Sequence, residues 1–345
     1  MSLPDTSLAR LPFRLVSENQ LTKVEVRYGD HIRHFFLEEI LSIFIYKVRE
    51  KAQAFLRKSL KRVVIGVPVH FNSNQRSAVL KTGGFIGFWD VSLANETSLL
   101  AIGAMPLIAE TMNLLVFDFG CHSSSASVIQ VSGKEFKVIS STGSSKAGGK
   151  DIDDILVEHC LKSLASSQKK RIQSDRRALY RLERTYEIAK YTLSTSHECT
   201  ISVSSLLEGF NFRLDITRNT FEGLCQGVFN TAIAVVKKAM ARSLLTSHDI
   251  NKVLVAGGSS NIPKMKALVE SLAIGQAPVL FTDSDAISRG AALVAQARYR
   301  PREDSPTLKD IISFDICIGE SSQVQMAPRS SKRCMNYSVD PPTVG

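Results

Sequence analysis

The sequence predicts an α/β fold in which helices cover both faces of a β-sheet. Short β-branched runs typical of buried strands recur along the chain, and helical stretches separate them. Apolar strands that alternate with helices are the pattern of α/β layering. Because 345 residues exceed the usual domain of about 100–200, we expect one two-lobed unit or two domains.

The first helix is predicted over residues 36–60, where apolar residues follow helical spacing and lysines and arginines occupy the opposite face. The runs with the pattern of buried strands are Val63–Val67, Leu114–Phe117 and Val253–Val255. Further strands are predicted at Phe13–Val16, Val24–Tyr28, Ala126–Val131, Phe136–Ile139 and Thr200–Val203. Further helices are predicted at Ile152–Leu164, Arg176–Leu193 and Phe221–Leu244.

The composition narrows the class of protein. A hydrophobic content of 44% supplies a substantial core and excludes global disorder. A net charge of +10 favours acidic partners. No apolar run approaches the roughly 20 residues of a membrane span, and the N-terminus lacks the pattern of a secretory signal. Six dispersed cysteines without CxxC indicate reduced thiols in a cytosolic compartment rather than disulfides or a zinc site.

Three glycine- or serine-rich turns are candidate phosphate sites. Asp118-Phe119-Gly120 and Ala256-Gly257-Gly258-Ser259-Ser260 each follow a predicted strand, where small residues let backbone amides approach an anion. Asp118 at a strand end has the chemistry to hold a metal-bound water. The third turn, residues 143–151, precedes a helix. Each turn alone also fits a purely structural role, the third as a flexible loop with Asp151 as N-cap.

Two helical surfaces also have competing interpretations. Glu187, Lys190 and Ser194 share one helical face, which suits either a purine and ribose edge or a solvated ion pair. A basic face suits either RNA or solvent, and no aromatic residues are interleaved with it to stack on bases. That face comprises Lys169, Lys170, Arg171, Arg177, Arg181 and Arg184.

In their order along the chain, these pieces resemble the nucleotide-binding domain of the 70-kDa heat-shock chaperone family. The resemblance covers about residues 33–315. Eight stretches carry it: Val63–Gln75, Ala94–Ala101, Leu115–Gly120, Gly143–Asp153, Tyr186–Ser194, Ser205–Phe212, Val253–Lys264 and Ser284–Ala292.

The resemblance implies an actin-like ATPase fold of two lobes, each a mixed sheet flanked by helices, with ATP or ADP and Mg²⁺ in the cleft. It implies that the first lobe, at 1–112, is incomplete and that the second lobe occupies 113–300. A linker-like segment is expected at 301–320 and a disordered tail at 321–345.

The resemblance also assigns roles to residues. Adenine and ribose would be held by Glu187, Lys190 and Ser194 on one side and by Gly257, Gly258, Ser259 and Ser284 on the other. The residues facing the phosphates would be Gly120, Ser123, Ser145 and Gly149. Asp118 and Glu96 match the family's metal-water carboxylates, so no residue is expected to ligate a metal directly.

Departures from the family pattern predict very slow or absent hydrolysis. No GxDxGT-like segment occurs, and the chain is expected to start after the region that supplies the family's essential lysine. Cys121 and His122 replace glycines and Ser125 replaces an aspartate, while Tyr191 and Asn261 replace arginines beside the adenine. Phosphoryl transfer depends on positioning and charge stabilisation, so these losses act together.

The C-terminal region and the finer motifs favour an atypical branch of the family. Residues 310–315 resemble the family's interdomain linker, and the 30 residues that follow are too few for a peptide-binding domain. The Gly-Gly-Ser-Ser turn and Asp249–Lys252 resemble a ribosome-associated cytosolic branch, which implies a J-domain partner, the ribosome and nascent chains. Neither a membrane nor sequence-specific nucleic acid is expected as a partner.

The leading hypothesis is a divergent chaperone ATPase-domain protein that binds ATP weakly and docks a co-chaperone. The alternative is a nucleotide-free pseudo-ATPase interaction module, such as a truncated or spliced fragment. An active sugar or acetate kinase of the same fold would need an intact phosphate loop, and none is evident. General RNA binding rests on charge alone.

Overall fold

The computed structural model describes residues 13–18, 21–108, 111–272, 276–311, 317–318 and 325–326. The predicted tail at 321–345 therefore lies outside the described residues except for 325–326, and so do 312–316 and 319–320 of the linker-like segment.

The helices are α1 (Leu37–Leu56), α2 (Ser73–Phe85), α3 (Glu96–Gly103), α4 (Gly149–Ser163), α5 (Ser166–Ser174), α6 (Arg176–Thr195), α7 (Arg218–Leu224), α8 (Gln226–Ser243), α9 (Pro263–Ser271) and α10 (Ala286–Tyr299). The strands are β1 (Arg14–Glu18), β2 (Leu21–Tyr28), β3 (His31–Phe36), β4 (Arg62–Val67), β5 (Asp90–Asn95), β6 (Thr111–Phe119), β7 (Ser124–Ser132), β8 (Glu135–Ser144), β9 (Glu198–Leu207), β10 (Phe210–Thr217), β11 (Lys252–Ala256), β12 (Val279–Phe281), β13 (Thr307–Lys309), β14 (Cys317–Ile318) and β15 (Gln325–Met326).

The largest sheet has six strands in the order β12-β11-β6-β7-β8-β13. It is mixed, because β11 pairs parallel with β6 and β12, whereas β7 pairs antiparallel with β6 and β8. Along β6, Leu115 and Phe117 point into one core and Leu114 and Val116 into another, and all four are fully buried. Helices α4, α6 and α8 cover the first face and α3 and α10 the second. The predicted α/β layering is confirmed.

Smaller sheets surround this one. Strands β1, β2 and β3 form an antiparallel meander, β4 and β5 form a parallel pair, and β9 and β10 form a hairpin.

Helix α3, which follows β5, packs so closely against α10 that their backbones are in contact. A Cβ on Gly103 would be 1.8 Å from the Ala286 carbonyl oxygen, and one on Gly290 would be 1.9 Å from that of Leu99. This contact holds α3, the helix that begins at Glu96, against α10.

Helix α1 differs from its prediction in two ways. It ends at Leu56 rather than at residue 60, because Arg57 takes a left-handed conformation with φ 51°. Its apolar stripe is also not buried: Phe44 is 67% exposed and Phe55 88%. The helix instead packs on α2 through the flank that carries Ser42, its one buried residue.

The single helix predicted over Phe221–Leu244 is wrong. The structure has two helices, α7 and α8, with Cys225 between them at φ −92° and ψ 3°, outside the usual helical values. Both helices still bury an apolar face, which explains why the spacing alone suggested one continuous helix.

Within the described part of the chain, no helix combines the length and apolarity that a membrane span needs.

Candidate functional site

The glycine turn, Gly257–Ser260, begins where β11 ends. Because β11 runs parallel to β6, with Ala256 opposite Asp118, the turn lies against the end of β6. A Cβ on Gly257 would be 2.3 Å from the Phe119 carbonyl oxygen and 2.5 Å from Asp118 Oδ1. The φ of Gly257 is also +87°, which side chains rarely adopt. Only glycine fits this position.

A cavity of about 240 Å³ opens beside the glycine turn. It brings together four of the predicted site residues, namely Asp118, Gly257, Gly258 and Ser284. Gly258 and Ser284 are exposed to solvent there, and nothing lies within 4 Å of a Cβ built on Gly258. The space beside this turn is therefore open.

The phosphate turn, Gly120–Ser123, follows β6 and is closed by a hydrogen bond from Gly120 N to Ser123 O of 3.0 Å. Helix α4 packs directly onto it. Gly149 N donates to Gly120 O at 3.0 Å, and Lys150 N donates to Cys121 O at 2.7 Å. Two amides at the start of a helix, where an anion would bind, thus already have protein partners.

The loop before α4 is partly different from its prediction. The helix begins at Gly149, and its N-cap is Gly148 rather than Asp151. Asp151 instead accepts a hydrogen bond from Gly148 N at 2.8 Å. The structure brings Gly120, Ser123 and Gly149 together, whereas Ser145 lies exposed on the preceding loop. The close approach also explains Gly148, since its Cβ would be 2.4 Å from the Cys121 carbonyl oxygen.

Ser259 connects the glycine turn to the phosphate turn. Its side chain is buried, and its Oγ donates to Gly120 O at 2.9 Å. A Cβ on Gly149 would be 2.5 Å from that Oγ and 3.4 Å from Lys190 Nζ. The hydroxyl predicted to face the nucleoside is thus used to hold the two turns together.

Glu187, Lys190 and Ser194 lie on α6 as predicted, but each side chain is already bonded to another group of the protein. Lys190 is buried and donates to both oxygens of Asp153, at 2.8 and 2.9 Å, and to Gly149 O at 3.2 Å. Glu187 pairs with Arg184, so the solvated Glu187–Lys190 pair, one of the two alternatives, is wrong. Ser194 donates its hydroxyl back to Lys190 O at 3.0 Å.

Asp153 is the important residue that sequence reasoning missed. It lies on the buried face of α4 next to Ile152. Burial raises the pKa of its carboxyl, and the hydrogen bonds and charge of Lys190 oppose that rise. The signal was available, because an acidic residue on the apolar face of a helix requires a buried partner.

The carboxyl groups of Glu96 and Asp118 lie close enough for the charge of Asp118 to act on Glu96. Burial raises the pKa of Asp118 to about 6. Burial, together with the charge of Asp118, raises the pKa of Glu96 to about 7. Among the described residues, no group of three His, Cys, Asp or Glu side chains is placed to hold a metal ion.

Two further contacts of the cleft floor were not predicted. Asn95, which precedes Glu96, donates from Nδ2 to Asp310 Oδ1 at 2.7 Å, and Ser98 donates to the same oxygen at 3.1 Å. Asp310 of the linker-like segment is thereby attached beside α3.

Ser125, which lies opposite Asp118 on β7, is buried, and its Oγ has no hydrogen-bond partner.

Comparison with known proteins shows the family of the chain. A family model described as Hsp70 protein matches residues 4–337. A heat shock 70 kDa protein of Emericella nidulans is 32% identical over 307 residues, which are 88% of this chain and 48% of that protein. Proteins of the same name from Neurospora crassa and Trichophyton rubrum are 30% and 31% identical over 312 residues, each covering 90% of this chain and 48% of the relative.

The chain spans about half the length of the curated relatives it matches. The family match covers nearly all of the chain, including both turns, α4, α6 and the cleft carboxylates. The chain belongs to the Hsp70 family, and its mixed sheet with helices on both faces is part of that family's actin-like ATPase fold.

Proposed function

We propose that this chain is a divergent chaperone domain that binds adenine nucleotide weakly, hydrolyses ATP slowly or not at all, and works with a J-domain co-chaperone. The chaperone class follows from membership of the Hsp70 family. The weak nucleotide chemistry is inferred from the hydrogen bonds around the phosphate turn.

The nucleoside side of the cleft fits an adenine nucleotide. The cavity beside the glycine turn is open, and Gly257, Gly258 and Ser284 line it. Only glycine fits at 257, so the turn keeps its close backbone approach to the end of β6. These residues would hold the nucleoside.

The phosphate side fits less well, and the observation that carries the proposal lies here. Gly149 N and Lys150 N are bonded to the carbonyls of Gly120 and Cys121. A phosphate would have to displace these bonds, and each exchange returns little net free energy because one hydrogen bond replaces another. The phosphates would therefore add little to affinity.

The carboxylates also limit catalysis. When bound, Mg-ATP supplies the phosphoryl group and the metal ion, and Asp118 and Glu96 would hold the water around that ion. With a pKa of about 7, Glu96 is only about half ionised near neutral pH. A protonated carboxyl attracts a hydrated cation less strongly than a carboxylate does.

The partners follow from the family and from charge. A J-domain co-chaperone is proposed because Hsp70 proteins generally work with one. We extend the proposal to the ribosome, nascent chains and a cytosolic location, supported by the resemblance to the ribosome-associated branch and by the net charge of +10.

Thermal unfolding with millimolar Mg-ATP tests the nucleotide part. We expect the melting temperature to rise by about 1 °C, since a ligand near its Kd adds only about 0.4 kcal/mol. Gly258→Leu, which places a side chain in the open space of the cavity, should abolish the rise without lowering the melting temperature of the free protein. A rise that survives this change would place the nucleotide elsewhere.

A second candidate function is the nucleotide-free interaction module. The hydrogen bonds that the phosphate turn makes with α4 and with Ser259 favour this candidate, because they stabilise the site without any ligand. Isothermal titration distinguishes the two: binding of a J-domain with no heat from ATP supports the module, and heat from both supports the leading proposal.

A further inference from the structure

One end of the molecule combines exposed aromatic rings with a dense cluster of positive charge. We call it the basic tip and define it by Phe55, Arg57, Lys58, Lys61, Arg62, Phe85 and Trp89. The rings are far from buried, with Phe55 88%, Phe85 66% and Trp89 74% exposed. Single exposed rings are ordinary, but several grouped beside one another are a feature of binding surfaces.

The residues of the basic tip lie in or directly beside two loops, one between α1 and β4 and one between α2 and β5, that are fixed side by side. Arg49 of α1 donates from Nε to Leu60 O at 3.1 Å and from Nη1 to Ile86 O, so that it joins the loop after α1 to the loop after α2. Trp89 N donates to Lys61 O at 2.8 Å. The basic tip is therefore one built surface rather than two independent loops.

The charge of the basic tip is strongly positive. Four cations occur within the six residues 57–62, and all four are exposed. Lys61 Nζ lies 3.8 Å from the centre of the Trp89 ring, so a cation and a ring are adjacent. The acid opposite Arg62 in the β4–β5 register is Asp90, and it faces Arg298 at 4.0 Å.

We propose that the basic tip binds single-stranded RNA without sequence preference. Such a strand carries phosphates beside flat bases, and exposed cations beside exposed rings complement both. A lipid surface fits less well. Inserting Trp89 into hydrocarbon would also desolvate the Lys61 ammonium on its face, which is costly.

This surface differs from the basic helix face that the sequence suggested. On α6, Arg181 donates to the carbonyls of Ser204 and Ser205, and Arg184 pairs with Glu187. Those cations are committed to the protein itself. Beside them α6 exposes Tyr180 to 56%, whereas the three rings of the basic tip are 66–88% exposed.

Trp89 is the chain's single tryptophan, so its fluorescence reports directly on the basic tip. We expect an oligouridylate of about 20 nucleotides to quench it. The logarithm of the association constant should fall with the logarithm of salt concentration with a slope of about −3, because four cations contact phosphates. Absence of quenching, or binding that salt does not weaken, would overturn the proposal.

Single substitutions test whether the RNA binds at the basic tip. Lys58→Glu should weaken binding about tenfold and make the salt slope shallower by about 1. Phe55→Ala should weaken binding about tenfold with the slope unchanged, because it removes stacking rather than charge. Lys170→Glu on α5 is the matched control, an exposed lysine away from the basic tip, and should bind as the wild type does. Circular dichroism confirms that each variant is folded.

Two other outcomes would also overturn the proposal. If RNA quenches Trp89 equally in Lys58→Glu, Phe55→Ala and Lys170→Glu, the RNA contacts lie elsewhere. If vesicles of phosphatidylserine and phosphatidylcholine shift the Trp89 emission to the blue while RNA has no effect, the partner is an anionic membrane surface.

Discussion

The glycine turn and the phosphate turn occupy equivalent places at the ends of neighbouring strands, yet one borders an open cavity and the other is hydrogen-bonded to the start of a helix. Beside Gly257–Ser260 there is a cavity of about 240 Å³. At Gly120–Ser123, the carbonyls of Gly120 and Cys121 accept hydrogen bonds from the start of α4. The difference teaches that the position of a turn in a fold does not decide whether the backbone amides beside it remain available to a ligand.

The buried pair of Lys190 and Asp153 helps to hold the start of α4 against the phosphate turn. Lys190 also donates to Gly149 O, so it anchors the first residue of α4 against the turn. Ser259 reinforces the arrangement from the glycine turn. The phosphate side is thus stabilised by the protein's own groups, whereas the nucleoside side depends mainly on the shape of one glycine turn.

The largest effect is expected from breaking the buried pair. Lys190→Met should lower the free energy of unfolding by about 3–5 kcal/mol, because it leaves Asp153 buried without its partner. Urea unfolding measures the loss. Lys162→Met is the matched control, since its ion pair with Glu158 within α4 is largely exposed, and it should cost less than about 1 kcal/mol. Equal losses would contradict the role of Lys190.

The next effect concerns the glycine turn. Gly257→Ala should lower the free energy of unfolding by about 2–4 kcal/mol, since it combines backbone strain with overlap against Phe119 O. Gly258→Ala has open space and should change the same quantity by less than about 0.5 kcal/mol. The two variants, compared by urea unfolding, show whether the close approach is real.

A smaller effect is expected from the pH dependence of stability. The folded-state pKa of Glu96, about 7, lies above its unfolded value near 4.5, so the folded protein retains a proton that the unfolded chain releases. The contribution of Glu96 is therefore fully present below about pH 4.5 and is lost as pH rises through about 7. Relative to Glu96→Gln, the wild type should lose about 2–3 kcal/mol over this range.

Chemical unfolding of both proteins at several pH values measures this difference. If the two stabilities run parallel from pH 4.5 to 7, the carboxyl of Glu96 is not desolvated as the structure indicates.

The smallest effect is expected from restoring the family's glycines. Changing Cys121 and His122 to glycine together should alter the melting-temperature shift caused by Mg-ATP by less than about 1 °C. The reason is that Gly149 N and Lys150 N would still be bonded to the phosphate turn. A much larger shift would mean that the two side chains, rather than the occupied amides, block the phosphates.

Some of the fold follows directly from the sequence. The alternation of Leu114, Leu115, Val116 and Phe117 between two cores explains why a short apolar run predicts a strand buried on both faces. The break at Cys225 could not be predicted, because both α7 and α8 keep an apolar face in the same helical spacing. Spacing reports which side of a helix is apolar but not where the axis is interrupted.

The sequence indicated which residues of the candidate site lie near one another, but it did not indicate their hydrogen-bond partners. The order of motifs placed Gly120, Gly149, Lys190 and Ser259 near one another, and the structure does bring them together. Their hydrogen-bond partners depend on distances of a few tenths of an ångström, which no pattern of residue types contains. The basic tip was missed for a related reason, since Lys61 and Trp89 meet only when β4 pairs with β5.

The affinities of adenosine, ADP and ATP for the folded chain, measured by calorimetry with Mg²⁺, test the central claim most directly. If the amides of Gly149 and Lys150 are already occupied by the carbonyls of the phosphate turn, the three affinities should agree within about threefold, since the phosphates gain no new charge-assisted hydrogen bonds from them. Binding of ADP or ATP about 100-fold tighter than adenosine would contradict the account, because it would require about 2.7 kcal/mol from phosphate contacts that the structure assigns to the protein itself.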